Sequence, residues 1–232
     1  NPLEGSGSEL DYIHKEKWPF DIKHIFTHQA GACNARNLAL SQIESEWVFL
    51  ADDDNRFDDS LLSDIFDKIK QYGNSVVTTS YPQKNEVNKN NEVVQWPTFG
   101  AGNSFACSAI VDTIRFNPAF EFGYGEDADF GMQLRNLGID ILYLPKPEIV
   151  HLKAPMGGFR TKPVLKWHED KIQPKPSPTV MLYILIHNTK QQLLGYKTTL
   201  FFKYYKHQKI KNPYDYYKNF QKPKMHLLLK IK

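Results

Sequence analysis

Residues 47–54, WVFLADDD, decide the fold, because an uninterrupted apolar run ends there in three aspartates. Five consecutive apolar residues are typical of a buried strand that is covered on both faces, as in a parallel sheet. In open α/β sheets, ligands bind at the carboxyl ends of such strands. Three adjacent carboxylates repel one another, and a divalent cation or the hydroxyl pair of a ribose would relieve the repulsion. The alternative is a solvated acidic turn in which an aspartate caps a helix.

The segments on either side of this run alternate between strand-like and helical patterns. We predict strands over 22–27, 75–80 and 139–144, and helices over 34–43, 60–72 and 128–137. Asn34 is the expected N-cap of the first helix, and a long helix over 179–207 is expected to break at Gly195. This alternation predicts an α/β fold with a mainly parallel sheet flanked by helices.

The composition excludes several classes of protein. The chain has 232 residues, of which 41% are hydrophobic and 24% are charged, and this ordinary globular usage excludes disordered and collagenous chains. The two cysteines, Cys33 and Cys107, cannot build a disulfide scaffold and lack the spacing of a zinc site. No apolar run approaches the roughly 20 residues of a membrane-spanning helix. We therefore expect a reduced, cytoplasmic protein.

A second group of carboxylates lies at the start of the helix predicted over 128–137. Glu126, Asp127 and Asp129 follow the glycine- and aromatic-rich stretch FGYG at 122–125. Acidic residues at a helix start compensate the helix dipole, which is the simplest explanation for them. The flanking glycines indicate instead a backbone that turns tightly beside a ligand, where a carboxylate could take a proton from an incoming hydroxyl.

Two further features could contribute to a site. His151 follows a strand-like stretch, and a lone histidine is more often a core or surface residue than a metal ligand. Gly157 and Gly158 precede Arg160, so this segment is either a surface turn or a basic loop that closes over a diphosphate.

Taken together, these segments resemble glycosyltransferase family 2. The run GACNARNLALSQIESEWVFLADDDNRF (31–57) is similar to the family's A-R-N segment and D-x-D signature. The run FGAGNSFACSAIVDTIRFNPAFEFGYGEDADFGMQLRNLG (99–138) is similar to its acceptor-side segment, which ends in an E-D motif. The order of the motifs and their separation of about 70 residues also agree with the family.

The resemblance implies a GT-A fold and an inverting transfer from a nucleotide-diphosphate sugar with the help of Mn²⁺ or Mg²⁺. On the donor side it implies ribose contact by Asp52, with Asp53 and Arg36 near the nucleotide and Arg160 on the diphosphate. It implies Asp54 and His151 as metal ligands.

On the acceptor side, the resemblance implies Asp127 as the general base and Glu126 as the residue that orients the base or the acceptor. Gly102 and Asn103 are expected to line the wall between the two halves, with the glycine allowing a sugar to approach closely. Trp96 either stacks on a sugar ring or packs in the core.

The resemblance also divides the chain. It implies a catalytic domain over residues 1–160 and a helical extension over 161–232. The family opens with an apolar strand and a helix that hold the nucleotide base. No segment before Ile22 has that pattern, so this first strand and helix are expected to be missing from the sequence.

The charge is strongly divided between these two parts. Residues 1–159 carry 13 basic and 23 acidic residues, whereas residues 160–232 carry 16 basic and 3 acidic ones. The aromatic and lysine-rich stretch 196–224 is either a helix packed on the catalytic core, a surface that binds an anionic membrane, or a nucleic-acid site. The family's usual work on lipid-linked and surface glycans favours the membrane over nucleic acid.

The sequence thus predicts a metal-dependent inverting glycosyltransferase of surface polysaccharide synthesis, with a glycan or a lipid-linked molecule as acceptor. The alternatives are a nucleotidyltransferase, which would need a glycine- and lysine-rich loop near the chain start, and an inactive module that binds glycans or membranes.

Overall fold

The structure is a computed structural model that describes residues 13, 15–25, 27, 29–88, 90–153, 164–169, 176–207 and 209–220. Its strands are β1 Trp47–Ala51, β2 Asn55–Arg56, β3 Val76–Ser80, β4 Val94–Gln95, β5 Asn103–Cys107, β6 Leu142–Glu148 and β7 Val150–His151. Five of them form the central sheet in the order β1-β5-β3-β6-β4, and β2 pairs with β7 in a separate ladder.

The central sheet is mixed. Strands β3 and β6 pair in parallel, whereas β5 runs antiparallel to both β1 and β3, and β4 runs antiparallel to β6. Three of the five strands, β1, β3 and β6, therefore run in the same direction. The predicted fold class, a mixed α/β sheet flanked by helices, is confirmed.

Two predictions about individual strands are wrong. The run 47–51 was expected to be a parallel strand covered on both faces, but β1 pairs antiparallel with β5, lies at the edge of the described sheet, and has a single buried residue, Leu50. An apolar run indicates contact with a core but not the direction of the neighbouring strand. The expected strand over 22–27 is also not formed in its described residues.

Helices flank the sheet. They are α1 Ala32–Leu40, α2 Leu61–Tyr72, α3 Ser108–Val111, α4 Glu126–Asn136, α5 Pro178–His187, α6 Lys190–His207 and α7 Pro213–Phe220, with 3₁₀ turns at Pro118–Phe120 and Lys166–Glu169. Helix α2 ends as its sequence predicts, because Gly73 adopts a left-handed φ of 68° and donates its N–H to the carbonyl of Ile69.

The core has one part on each face of the sheet. Val76 and Ala106 belong to one cluster, which Phe130 and Leu134 of α4 complete. Their neighbours along the strands, such as Phe105, belong to the other cluster, which the apolar face of α2 covers. Successive residues of a strand point to opposite faces, so α4 and α2 lie on opposite sides of the sheet.

Helix α5 packs on helix α4. His187 at the end of α5 contacts Oδ1 of Asp129 on α4 at 2.7 Å, and both side chains are buried. The long helix breaks at Asn188 rather than at Gly195, which lies inside α6. Asn188 has an extended backbone (φ −109°, ψ 149°), which ends α5.

Helices α6 and α7 are held together by aromatic rings. Phe201 and Tyr205 of α6 contact Tyr216 of α7, whose hydroxyl donates to the Phe201 carbonyl at 2.8 Å. Among the described residues, no helix has both the length and the apolar character to span a membrane. The predicted boundary at residue 160 lies outside the described residues.

Candidate active site

Polar side chains are concentrated at the end of the sheet where β1 and β3 end and β5 begins. Asp52 follows β1, Tyr81 follows β3, and Asn103 begins β5, which runs the opposite way. These residues line one cleft of about 450 Å³ that also contains Arg36 and Asp127. The cleft thus brings the D-x-D and E-D segments together, as the sequence predicts.

Two carboxylates and an imidazole form a candidate metal centre in this region. One ligand atom from each of Asp52, Asp54 and His151 lies within 4.8 Å of the others. Nε2 of His151 lies 3.2 Å from Oδ2 of Asp54. The β2–β7 ladder explains why residues so far apart in the chain meet, because Asn55 pairs with His151 and the Leu152 N–H donates to the Asp54 carbonyl at 2.9 Å.

This donor set suits a divalent cation. Carboxylate oxygens are preferred by Mg²⁺ and Mn²⁺, and an imidazole is a common ligand of transition metals. The sequence predicted Asp54 and His151 as ligands and assigned Asp52 to the ribose. The structure places the Asp52 carboxylate within the ligand group as well.

Tyr81 contacts Asp52 and His151 of the candidate metal centre. It was not predicted from the sequence. Its hydroxyl lies 3.1 Å from Oδ2 of Asp52 and also contacts the side-chain oxygen of Asn55. Its ring stacks on His151 with centroids 4.7 Å apart and planes 9° apart. Burial and the neighbouring Asp52 carboxylate raise the pKa of Tyr81 well above its ordinary value. Tyr81 therefore remains a neutral hydrogen-bond donor to Asp52.

Arg36 connects the candidate metal side of the cleft to the E-D motif. Its guanidinium lies 3.7 Å from Oδ1 of Asp52, 3.6 Å from Oε1 of Glu126 and 3.6 Å from Oδ1 of Asp127. Glu126 also accepts the N–H of Gly125 at 3.1 Å, which holds its carboxylate at the start of the helix that carries Asp127. One cation thus holds three carboxylates that would otherwise repel one another.

Asp127 has the properties of a general base. Burial raises the pKa of Asp127 to about 7, against the opposing effect of Arg36, and the Glu126 carboxylate raises it further. The backbone N–H of Ala101 donates to the carboxylate, while Oδ1 accepts no hydrogen bond from any described residue. Oδ1 is buried beside Arg36, and a carboxylate whose pKa lies near neutrality is suited to deprotonating a hydroxyl.

Helix α1, which carries Arg36, is fixed by residues that the sequence analysis missed. The Glu121 carboxylate accepts the N–H groups of Cys33 and Asn34, each at 3.0 Å. Asn34 is therefore not the N-cap that was predicted, and a carboxylate distant in sequence satisfies the helix start instead. The Asn37 amide pairs with both the N–H and the carbonyl of Phe116 at 2.8 Å.

Comparison with known proteins assigns the family. The sequence model of glycosyl transferase family 2 matches residues 4–124, which is just over half of the chain. The chain belongs to glycosyl transferase family 2. The match includes the A-R-N and D-x-D segments and ends before Glu126, so the assignment of the E-D motif depends on the geometry described above. None of the curated protein sequences compared with the chain matches it.

Solved structures place this family 2 chain in the GT-A fold. The S. aureus TarS 1-349 structure in complex with UDP-GlcNAc aligns with a TM-score of 0.54 at 16% identity, over 82% of this chain and 57% of TarS 1-349. The structure of GalNAc-T7 with UDP, GalNAc and Mn²⁺ aligns with a TM-score of 0.55 at 12% identity, over 79% of this chain and 40% of that one. The chain therefore spans between two fifths and three fifths of these relatives.

Two of the remaining residues predicted from the family 2 resemblance line the cleft, and a third lies outside the candidate ligand group. Gly102 lines the cleft, but a Cβ there would overlap the Asp52 carboxylate, so the glycine makes room for that side chain. Asn103 also lines the cleft, and its amide donates to Thr78 and Thr79 of β3. Asp53 is exposed and lies outside the candidate ligand group.

Two further predictions have different outcomes. Trp96 is partly buried against the core and also lines the cleft, so its packing in the core is found and its stacking on a sugar ring stays a prediction. Arg160 lies outside the described residues.

Proposed function

We propose that the chain is a metal-dependent inverting glycosyltransferase that moves a sugar from a nucleotide-diphosphate donor to a hydroxyl of a glycan or lipid-linked acceptor. The observation that carries this proposal is the pairing of Asp127, a carboxylate with a raised pKa, with the Asp52–Asp54–His151 group in one region of the molecule. Arg36 contacts both sides of this arrangement.

The donor side binds the diphosphate. Asp52, Asp54 and His151 would hold Mn²⁺ or Mg²⁺, which stabilises the negative charge of the departing nucleoside diphosphate. Tyr81 fixes the orientation of Asp52 and of the His151 ring, so the donor atoms are arranged before the nucleotide arrives. Asp53, which is exposed beside this group, and Arg160 are further donor contacts in this proposal.

The acceptor side provides the base. The Asp127 carboxylate takes the proton of the acceptor hydroxyl while the hydroxyl oxygen forms a bond to the anomeric carbon. The bond between the anomeric carbon and the diphosphate oxygen breaks at the same time, and the electron pair leaves with the diphosphate. Attack opposite the leaving group inverts the anomeric configuration. Glu126 holds Arg36 beside the base and so keeps Asp127 in place.

The C-terminal helices supply a surface for the second part of the proposal, which is attachment to an anionic membrane. Leu194 and Phe202 of α6 are 67% and 63% exposed, and the exposed Lys203 and Lys206 lie on the same helix. Lysines near an anionic surface contribute about 1 kcal/mol each. This location would suit a lipid-linked acceptor and a role in surface polysaccharide synthesis.

A donor panel tests the proposed reaction. The purified chain with Mn²⁺ is incubated with nucleotide-diphosphate sugars of uridine and guanosine and with methyl glycosides as acceptors, and NMR follows both the release of nucleoside diphosphate and the anomeric configuration of the transferred sugar. We expect turnover of at least one donor, loss of turnover with a chelator, and inversion. Retention of configuration would contradict the mechanism, and formation of a nucleotide–sugar bond from a sugar phosphate would identify a nucleotidyltransferase.

A further inference from the structure

The cleft extends well beyond the residues that the proposed reaction uses. Asp52 follows β1 at one edge of the central sheet, and Trp96 follows β4 at the opposite edge, yet both line the same cleft. Four strand spacings separate β1 from β4, a distance of about 19 Å at 4.8 Å per spacing. Such a length exceeds what a single sugar ring fills.

The far end of the cleft has an aromatic platform. The rings of Trp96 and Tyr143 are stacked with centroids 4.7 Å apart and planes 28° apart, and both line the cleft. The backbone N–H of Trp96 donates to the Ile141 carbonyl at 2.8 Å, which anchors the platform to the sheet. Within the described part of the chain, no residue accepts a hydrogen bond from the Trp96 indole N–H.

Hydrogen-bonding groups surround this platform. Oδ1 of Asn88 accepts the Tyr143 hydroxyl and the Asn90 N–H, each at 3.0 Å, which ties the loop between β3 and β4 to the rings. The side-chain N–H₂ of Asn88 and the amide of Asn90 have no hydrogen-bond partner among the described residues, and both residues line the cleft. Tyr143 is buried behind Trp96, so the partly exposed Trp96 ring is the apolar surface of the platform, and free donors lie near it.

The aromatic and polar groups at the Trp96 end of the cleft favour a sugar ring as ligand. A pyranose ring has apolar faces and a rim of hydroxyls, so it matches an aromatic surface with a few placed polar groups. An acyl chain does not match, because the free side-chain N–H₂ groups of Asn88 and Asn90 also line the cleft and would lose water without gaining a partner.

Building on the proposed function, we propose that Trp96, Tyr143, Asn88 and Asn90 form an acceptor subsite that binds a second sugar ring. The acceptor is then a saccharide of at least two units, whose attacking hydroxyl lies at Asp127 and whose next ring lies on Trp96. The position agrees with the proposed mechanism, because an acceptor that attacks opposite the diphosphate approaches from the side away from Asp52 and Asp54.

Equilibrium binding tests this subsite without requiring turnover. Titration calorimetry measures methyl glycosides of glucose, galactose, mannose and N-acetylglucosamine, and the matching disaccharides, with the chain loaded with Mn²⁺ and uridine or guanosine diphosphate. Trp96→Phe and Asn90→Ala are compared with Trp47→Phe. Trp47 is the matched control, because it is partly buried against Phe66 and lies outside the residues that line the cleft.

We expect at least one disaccharide to bind more tightly than its monosaccharide. The Trp96 and Asn90 variants should each remove about fivefold to tenfold of that affinity, the size of one net hydrogen bond, and the Trp47 variant should retain it. Equal binding of every monosaccharide and disaccharide, or an unchanged difference in Trp96→Phe, overturns the subsite. Trp96-dependent disaccharide binding without any sugar transfer upholds the subsite and contradicts the proposed transferase.

Discussion

Nη1 of Arg36 lies 3.6 Å from Oδ1 of Asp127, and neither atom has a hydrogen-bond partner among the residues that the structure describes. The other guanidinium nitrogen faces Asp52 at 3.7 Å. Arg36 therefore links the proposed base to the proposed donor side.

The first prediction concerns the candidate metal centre. Asp54→Ala removes the carboxylate that lies 3.2 Å from His151, and Asp53→Ala removes an exposed neighbour outside the ligand group. We expect Mn²⁺ to increase nucleotide-sugar affinity in the parent chain, and Asp54→Ala to reduce this gain by more than about tenfold. Calorimetry with and without Mn²⁺ measures the effect. Asp53→Ala should retain most of the gain, and equal losses in both variants would contradict the assignment.

The second prediction concerns pH. Because the pKa of Asp127 is raised to about 7, a growing fraction of this base is protonated as the pH falls through neutrality. We expect kcat/KM to fall by about tenfold for each pH unit below about 7, and to level off above it. Initial rates between pH 5 and 8.5 measure this. A profile that stays flat down to pH 5 would exclude Asp127 as the titrating base.

The third prediction concerns Glu121, whose carboxylate caps helix α1. Glu121→Ala leaves two backbone N–H groups without their acceptor, so we expect the free energy of unfolding to fall by about 1–2 kcal/mol. Donor affinity should fall too, because α1 positions Arg36. Urea unfolding and donor titration measure both effects. Glu121→Gln should lie between the parent and Glu121→Ala, whereas the exposed Glu92→Ala is the control and should change neither quantity.

The sequence predicts candidate site residues when motifs within short segments of the chain mark them. The resemblance to the family predicted Asp54 and His151 as ligands, whereas the local pattern around His151 favoured a core or surface residue. Tyr81 and Glu121 were missed because their roles depend on partners distant in the chain: Glu121 contacts helix α1 across 87 and 88 residues. Nothing in the local sequence around a carboxylate indicates which helix it caps.

Strand pairing and helix ends also depend on contacts between residues that are distant in the chain. The apolar run 47–51 predicted a strand correctly, but its antiparallel pairing with β5 depends on which strand lies beside it. The break in the long C-terminal helix was assigned to Gly195 because glycine is a poor helix former. The break occurs instead at Asn188, immediately after His187 contacts the buried Asp129.

The fourth prediction concerns the membrane. Lys203, Lys206 and Lys218 are exposed on α6 and α7, and their combined replacement by Glu should weaken binding to phosphatidylserine vesicles by at least about 100-fold, given about 1 kcal/mol per lysine. Co-sedimentation with vesicles measures this. The double variant Lys68→Glu/Lys70→Glu alters a partly buried and an exposed lysine of α2 and should bind as the parent does. Equal binding of all three proteins would exclude these helices as the attachment surface.

The central claim is that Asp127 removes the acceptor proton while the donor is held elsewhere in the cleft. Asp127→Asn tests it most directly, with kcat for sugar transfer and donor affinity in the presence of Mn²⁺ measured on the same protein. We expect kcat to fall by about 10²–10⁴-fold and donor affinity to stay within about threefold of the parent, because the amide keeps the shape of the side chain but cannot accept the proton. Undiminished kcat in Asp127→Asn would contradict the account.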